Sequence, residues 1–547
     1  MSGGIAAGRP RVVGARNALE VNPKDDDIVI GLVGYAGSGL GRVTTKIGAA
    51  FHSHGFKLEK IKISALIETW FGYQANDQVD FPERGKAALL RAKRLQDSGD
   101  EMRRDLGLPA LGSLAVRRIF NLKAKQTPRV RTVYVIDSIK HKAEVDLLRQ
   151  VYDRSFYLLA VHCEDAVRES SLMGTLGDDE AKFPGADPSE VRSFMERDAK
   201  DSSAVYGQQV REVFWLGDYF VDNSSKKSED FRLADQVKRF SEIVLGIGWP
   251  RPTPEEEGMY LAFGAARRSA CLSRQVGAAL QSESGEMISV GSNEVPRFGG
   301  GTYAHGDTVD ARCFKWTFDL SGANFVGCHN DRKKRELERE IGKWLGERLS
   351  DKLATLAHPP AKEGTDIAAK ARDEAKGRIK EFFETKVDQI ERLPGLKEVI
   401  EFSRSIHAEM NALLSAARSG RSTRGARLFC TTFPCHNCAR HLVAAGITSV
   451  HYVEPYVKSL AHELHSDAIT LKPPAAQGAK PDKMTILPFV GVGPALFDRV
   501  FHKRHEVKAS DGAFISPTAA NPIDGVRLLQ LTQVEERAIK LVPDRRE

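Results

Sequence analysis

Ser405-Ile406-His407-Ala408-Glu409-Met410-Asn411-Ala412-Leu413-Leu414, followed downstream by Leu428-Phe429-Cys430-Thr431-Thr432-Phe433-Pro434-Cys435-His436-Asn437-Cys438, carries the strongest signal in this chain. His407, Cys435 and Cys438 offer one imidazole and two thiolates, a donor set that binds zinc and leaves the fourth tetrahedral position to water. Glu409 follows His407 too closely to be needed as a ligand and is left free to move protons. Zinc lowers the pKa of a bound water from about 15.7 to about 7, which makes hydroxide available at neutral pH. The flanking residues agree with this reading. Leu428–Phe433 favours a strand, Pro434 ends it, and Ala439-Arg440-His441-Leu442-Val443-Ala444-Ala445 continues as a helix closed by Gly446. Thiolates at the start of that helix are favoured by its unpaired backbone N–H groups. His407 and Glu409 open a second helix.

Two other metal chemistries fit part of the pattern. Cys430 extends it to Cys-x4-Cys-x2-Cys, an iron–sulfur spacing, but no cysteine follows Cys438 to supply the fourth ligand. A purely structural zinc would draw its fourth ligand from His436 or His441.

The pattern His-x-Glu followed by Pro-Cys-x-x-Cys resembles the zinc-dependent nucleobase deaminases. Arg267–Leu280 resembles the first helix and strand of the deoxycytidylate deaminases. Met287–Arg297, with its Gly-x-Asn-x-x-Pro loop, resembles their second strand and nucleotide-contacting loop. The arrangement is similar to the two-domain bacterial anti-phage dCTP deaminases. That likeness rests on Asn293-Glu294-Val295-Pro296 running into Gly299-Gly300-Gly301-Thr302-Tyr303, on Asp310-Ala311-Arg312, and on Glu454–Leu464.

The resemblance implies zinc-dependent hydrolysis of dCTP, dCMP or both to the deoxyuridine nucleotide and ammonia, draining the dCTP pool during phage infection. In it His407, Cys435 and Cys438 hold zinc, Glu409 shuttles protons and Asn293 orients the sugar or base. Lys458, Arg274 and Arg297 are candidate phosphate cations. Cys313, Cys328, His329 and His305 are candidates for a second, structural zinc. The implied fold is α/β: a P-loop kinase-like parallel-sheet domain, then a cytidine-deaminase-like α/β/α sandwich with a helical insertion.

Such an activity would injure its host if unchecked, so an off-state is expected. The amino-terminal domain, an inhibitory RNA or a homo-oligomer interface would impose it, and a phage-derived trigger would lift it. The rivals are a tRNA or single-stranded DNA deaminase and a nucleotide-sensing scaffold with an inert fold. A polynucleotide enzyme needs stacking aromatics in a basic groove, and aromatics make up only 8% here, with no basic-aromatic cluster near either zinc motif.

The chain has 547 residues and a formal net charge of +7, so two domains and an affinity for anionic nucleotides are both reasonable. Its 7 cysteines, an odd number scattered along the chain, point to a reducing cytoplasm rather than a disulfide framework. No run approaches the ~20 apolar residues of a membrane span. Residues 1–24 read as a disordered arm, 25–248 as the P-loop kinase-like domain, and 249–257 as a proline-rich linker. Residues 258–510 read as the deaminase domain, with a helix over about 255–273, a hairpin over 276–290 and a helical insertion over about 298–400. Residues 511–547 read as a tail with a strand or helix near 527–531.

In the first domain Asp27–Gly34 predicts a buried strand, followed by Gly34-Tyr35-Ala36-Gly37-Ser38-Gly39-Leu40-Gly41 and a helix. Such a turn cradles phosphate with backbone N–H groups, which makes Gly34, Gly37, Ser38 and Gly39 candidate nucleotide-binding residues. A second strand, Arg131–Ser138, carries Asp137 where a Mg2+-holding residue would sit. Leu40 occupies the place of the usual phosphate-binding lysine, so phosphoryl transfer is in doubt. Arg42 and Lys46 are the nearby cations.

Overall fold

The computed structural model describes residues 26–73, 83–174, 182–201, 204–224, 230–320, 323–357, 366–385, 402–455, 459–472, 482–503, 507–517 and 531–543. Residues 1–24, Lys458 and the stretch 527–530 lie outside them. The chain forms two compact units, residues 1–253 with 490–547, and residues 254–489.

The first unit is built on β1 (Ile28–Gly34), β2 (Lys57–Lys62), β3 (Thr132–Asp137), β4 (Phe156–His162) and β5 (Tyr219–Asp222), numbered in chain order. They are parallel in the order β5-β4-β1-β3-β2. Every residue of β1 and β4 is buried, as expected of central parallel strands covered on both faces. Ile28, Ile30 and Leu32 pack with Val43, Ile47 and Phe51 of the helix Leu40–His52 and with Phe240 of the helix Asp230–Val244. The glycine turn lies at the carboxyl end of β1. The loops after β3, β4 and β5 gather at the same edge of the sheet.

The second unit opens with the helix Pro254–Ala266, shorter than the 255–273 expected. Pro254 begins this helix rather than ending a linker, because proline's missing N–H costs nothing at the first helical position. Next come β6 (Gly277–Gln281), β7 (Met287–Ser292), β8 (Phe318–Leu320), β9 (Ala323–Phe325), β10 (Arg427–Thr432), β11 (Ser449–Glu454), β12 (Ile469–Thr470) and β13 (Met484–Pro488).

The six-stranded sheet runs β12-β13-β11-β10-β6-β7. β10, β11, β13 and β12 are parallel, and the hairpin β6-β7 joins antiparallel to β10. Leu428 and Cys430 of β10 face Ala408, Ala412 and Ala416 of the helix Ala408–Arg418. Phe429 points the opposite way, its ring against Gly258. Alternation along one strand thus produces helix, sheet and helix in three layers. Between β7 and β10 lie the antiparallel pair β8-β9 and two long helices, His329–Ala357 and Asp366–Thr385. Their exposed faces are richly charged, in line with a solvated helical insertion.

The chain then returns to the first unit. β14 (Gly491–Val492) pairs antiparallel with β5, and Val492, Leu496 and Phe501 complete the first unit's core. Residues 490–510 therefore belong with the first unit and not with the second domain to which the sequence assigned them. They were misassigned because apolar residues do not announce which core they enter. The presumed tail also carries the helix Leu531–Ile539, which packs on the helix Ala110–Ala124. Arg117 donates to the carbonyl oxygens of Ile539 (3.1 Å), Val542 and Pro543 (3.4 Å), satisfying groups that a helix end leaves open. Lys123 pairs with Glu535 at 3.1 Å.

Candidate metal centre

Two helix N-termini of the second unit converge on one point. His407 is the N-cap of Ala408–Arg418, with extended backbone (φ −71°, ψ 154°). The preceding residue is fixed by Ile406 N donating to Glu294 O at 3.0 Å, and the helix is held to β7 by Asn411 Nδ2 donating to Ser292 O at 2.9 Å. Cys435 is the N-cap of the helix His436–Ala444, reached from β10 through Pro434. The backbone N–H of Cys438 points at Cys435 Sγ, 3.4 Å away.

His407 Nδ1 lies 3.4 Å from Cys435 Sγ and 3.4 Å from Cys438 Sγ. All three donor atoms fall within 4.8 Å of one another. Tetrahedral zinc at ordinary bond lengths separates a nitrogen from a sulfur ligand by roughly 3.5 Å, so the donor set fits this ion. The charge pattern fits as well. Cys435 is pulled down to about 4, chiefly by its hydrogen bond with Cys438 and then by that with His407. Cys438 is pushed well above its usual value by the same sulfur–sulfur bond and by burial. His407 is raised to about 9, chiefly by its bond to Cys435. A positive group is thereby stabilised against the Cys435 sulfur, beside the place a dication would take.

Glu409 sits in the first turn of its helix, 4% exposed, and burial raises its pKa. A carboxyl tuned upward in this way exchanges protons nearer neutral pH. Cys430 is fully buried in the core beside Ala408 and is held protonated by burial. It is not part of the donor group, which removes the iron–sulfur arrangement. His436 and His441 also stand outside the group, and His441 Nδ1 bonds Asn437 O at 2.6 Å within its own helix.

Asn293 is 8% exposed, and its amide ties down the loop: Oδ1 accepts from Val276 N at 2.7 Å and Nδ2 donates to Arg274 O at 2.8 Å. Glu294, which the sequence reading left without a role, completes that framework by accepting from Ala270 N at 2.7 Å and Val295 N at 2.8 Å. Its signal was faint, since a glutamate in a loop ordinarily reads as solvated. Arg274 is half exposed and paired with Glu454. Arg297 pairs with Asp307 at 3.0 Å.

The candidates for a second zinc do not gather into a donor group among the described residues. The His329 ring lies against Phe318 and Phe325, centroids 4.1 and 5.5 Å away, and Cys313 is hydrogen-bonded to Arg404.

In the first unit Gly34 ends β1, Gly37 and Gly39 hold the turn with φ of 85° and 70°, and Ser38 lies between them. Only glycine adopts such angles without strain. Asp137, at the end of β3, pairs with Lys60 at 3.2 Å. Arg42 and Lys46 both pair with Asp230.

Residues 346–454 match the family model described as the cytidine and deoxycytidylate deaminase zinc-binding region. The chain is similar to "ComE operon protein 2" of Bacillus subtilis (strain 168), 42% identical over 67 residues, which is 12% of this chain and 35% of that protein. It is also similar to "Deoxycytidylate deaminase" of Enterobacteria phage T2, 46% identical over 54 residues, 10% of this chain and 29% of that protein. The similarity thus spans about a third of each relative. Among solved structures, the dCMP deaminase of cyanophage S-TIM5 in its apo form aligns with 15% identity and a TM-score of 0.20, over 44% of this chain and 99% of that one. No helix among the described residues is long and apolar enough to cross a membrane. The metal centre thus falls inside a region of the cytidine and deoxycytidylate deaminase zinc-binding type.

Proposed function

We propose that this chain deaminates deoxycytidine nucleotides by hydrolysis, converting dCMP, dCTP or both to the deoxyuridine nucleotide and ammonia. The observation that carries the reading is the convergence of His407, Cys435 and Cys438 beside the buried Glu409. Zinc held by the three donors would supply the Lewis acidity that makes water a nucleophile at neutral pH. Glu409 takes one proton as water adds to C4 of the cytosine and gives it to N3; it then takes the remaining proton of the new C4 hydroxyl and delivers it to the departing amino group as the C4–N4 bond breaks and the C4 carbonyl forms. The two helix N-termini favour the negative charge of the thiolates. The framework of Asn293 and Glu294 holds the loop where the nucleotide is expected to bind.

Biologically, this reading makes the enzyme a sink for the dCTP pool during phage infection, restrained until a phage-derived trigger lifts an inhibitory RNA or an oligomer contact. The biochemical test incubates zinc-loaded wild type and Glu409→Ala with dCMP, dCTP, CMP, CTP and cytosine-bearing single-stranded DNA. Loss of dCMP or dCTP with wild type alone is expected. Uracil appearing only in the oligonucleotide would replace the nucleotide reading with a polynucleotide one. For the defence role, the same pair is compared in infected cells: Glu409→Ala should leave both phage yield and dCTP undiminished.

A further inference from the structure

The helix Leu531–Ile539 packs against both the helix Ala110–Ala124 and the helix Lys142–Tyr152, in the groove they form. Ser113 is fully buried there, and its hydroxyl donates to the carbonyl oxygen of Ala538. One turn further along, Arg117 reaches the carbonyl oxygens of Ile539, Val542 and Pro543. A helix leaves its last carbonyls without partners, and a cation beside them also meets the negative end of the helix dipole. The groove therefore reads the carboxyl end of a helix through its backbone.

Three side chains of the segment add selection. The Glu535 carboxylate, 2% exposed, accepts from the Lys123 ammonium at 3.1 Å. That ammonium stands 5.5 and 6.0 Å from the ring centres of Tyr152 and Tyr134, whose faces favour a cation. Ala538 and Val542 are buried and let the backbone lie close to the groove. The occupant is thus defined by a carboxylate, a small residue three positions on, an apolar residue four beyond that, and the end of a helix. Little else joins the segment to the unit. None of residues 531–543 belongs to the core that lines the sheet, and none pairs with a strand. A nine-residue helix is unstable alone in water, so this one is helical only while it is docked. Its opening is therefore an event local to it.

We propose that the groove between the helices Ala110–Ala124 and Lys142–Tyr152 is an interaction surface for a second copy of this chain, whose segment Leu531–Pro543 takes the place of the chain's own by reciprocal exchange. Each copy carries the pattern of Glu535, Ala538 and Val542 that the groove selects. Every bond made within one chain is remade between two, so the exchange costs association entropy and no contact. Residues 518–530 give the segment a contour of up to ~45 Å from Pro517, enough to reach a neighbouring molecule. The same tether lets a chain's own segment compete, so exchange rises with protein concentration.

The test reverses charges in the full chain and follows hydrogen exchange of residues 531–543. Lys123→Glu sets two carboxylates against each other, and Glu535→Lys two ammonium groups. Each variant alone is expected to lose protection of the segment at least about tenfold. When the two variants are mixed, opposite charges meet only across two chains, so protection is expected to return and to rise with concentration. The chain carrying both substitutions regains it unaided. Zinc-dependent turnover of dCMP, followed alongside, reports that each variant is folded.

A mixture that stays as unprotected as its components, while the doubly substituted chain is protected, overturns the exchange and leaves the groove a clamp within one chain. Single variants that keep full protection overturn the selection by Lys123 and Glu535. Wild type supplies a check that needs no variant. If its residues 531–543 are protected as deeply as β1 and β4, the segment opens only with the whole unit, and the proposal fails.

Discussion

Gly291 lies directly against Ala408: a Cβ built on Gly291 would stand 2.2 Å from the Ala408 carbonyl oxygen and 2.4 Å from Ala412 N. This close approach lets β7 and the helix Ala408–Arg418 meet with the backbone of Glu409's own helical turn on the sheet. Gly291→Ala must push that helix away, at a cost of about 1–3 kcal/mol. A lowered melting temperature together with weakened zinc affinity is the expected result. A variant that melts as wild type does would show that the helix is not held by this contact.

Metal removal separates the two roles in the centre. Cys438→Ser should lose more than about tenfold in zinc affinity and, with it, the melting-temperature rise that zinc gives the wild type. Glu409→Gln should bind zinc as wild type does while turning over dCMP about 10²–10⁴-fold more slowly. Zinc content by atomic emission, set beside ammonia release, checks both.

Acid should weaken the second unit through His451. Its ring stacks on Phe429, centroids 5.2 Å apart, and burial lowers its pKa to about 4. The unfolded chain takes up a proton near pH 6.5, while the folded one resists until about pH 4. Between those values the unfolded state binds more protons, so stability falls as the pH falls. Wild type should therefore lose more of its urea midpoint between pH 7 and pH 4.5 than His451→Gln does. Equal losses would exclude His451 as the source.

Arg117→Ala should release the last described helix. Three carbonyl oxygens beyond Glu536 lose their donor, which at about 1–3 kcal/mol for hydrogen bonds to a charged group is enough to raise fraying markedly. Limited proteolysis should then cut within residues 531–543 while leaving the first unit's sheet intact.

The donor set was legible in the sequence because metal chemistry demands particular residue types at short spacing. His407, Cys435 and Cys438 can be exchanged for little else, and the strand, proline and helix around them follow local rules. The three-layer arrangement was expected from the resemblance to the deaminases, and the alternation of Leu428, Phe429 and Cys430 is its physical basis. The ion pair of Lys140 with the buried Asp198, 2.9 Å apart in the first unit, was not legible, because its members are far apart in the chain and each alone reads as a surface charge. Asn293 was recognised, but its bonds to Val276 and Arg274 depend on a loop closing on itself, which spacing does not reveal. The return of Val492, Leu496 and Phe501 to the first core was hidden for a related reason: a short apolar run says that it is buried, not where.

That return makes the second unit an insert within the first. On a ribosome, the last strand of the first sheet and the residues that close its core emerge only after all of residues 254–489 have been made. The amino-terminal unit, though begun first, is finished last. A chain cut short after residue 489 would carry His407, Cys435 and Cys438 and still leave the first core open, so the integrity of the first unit reports whether the returning segment has been made.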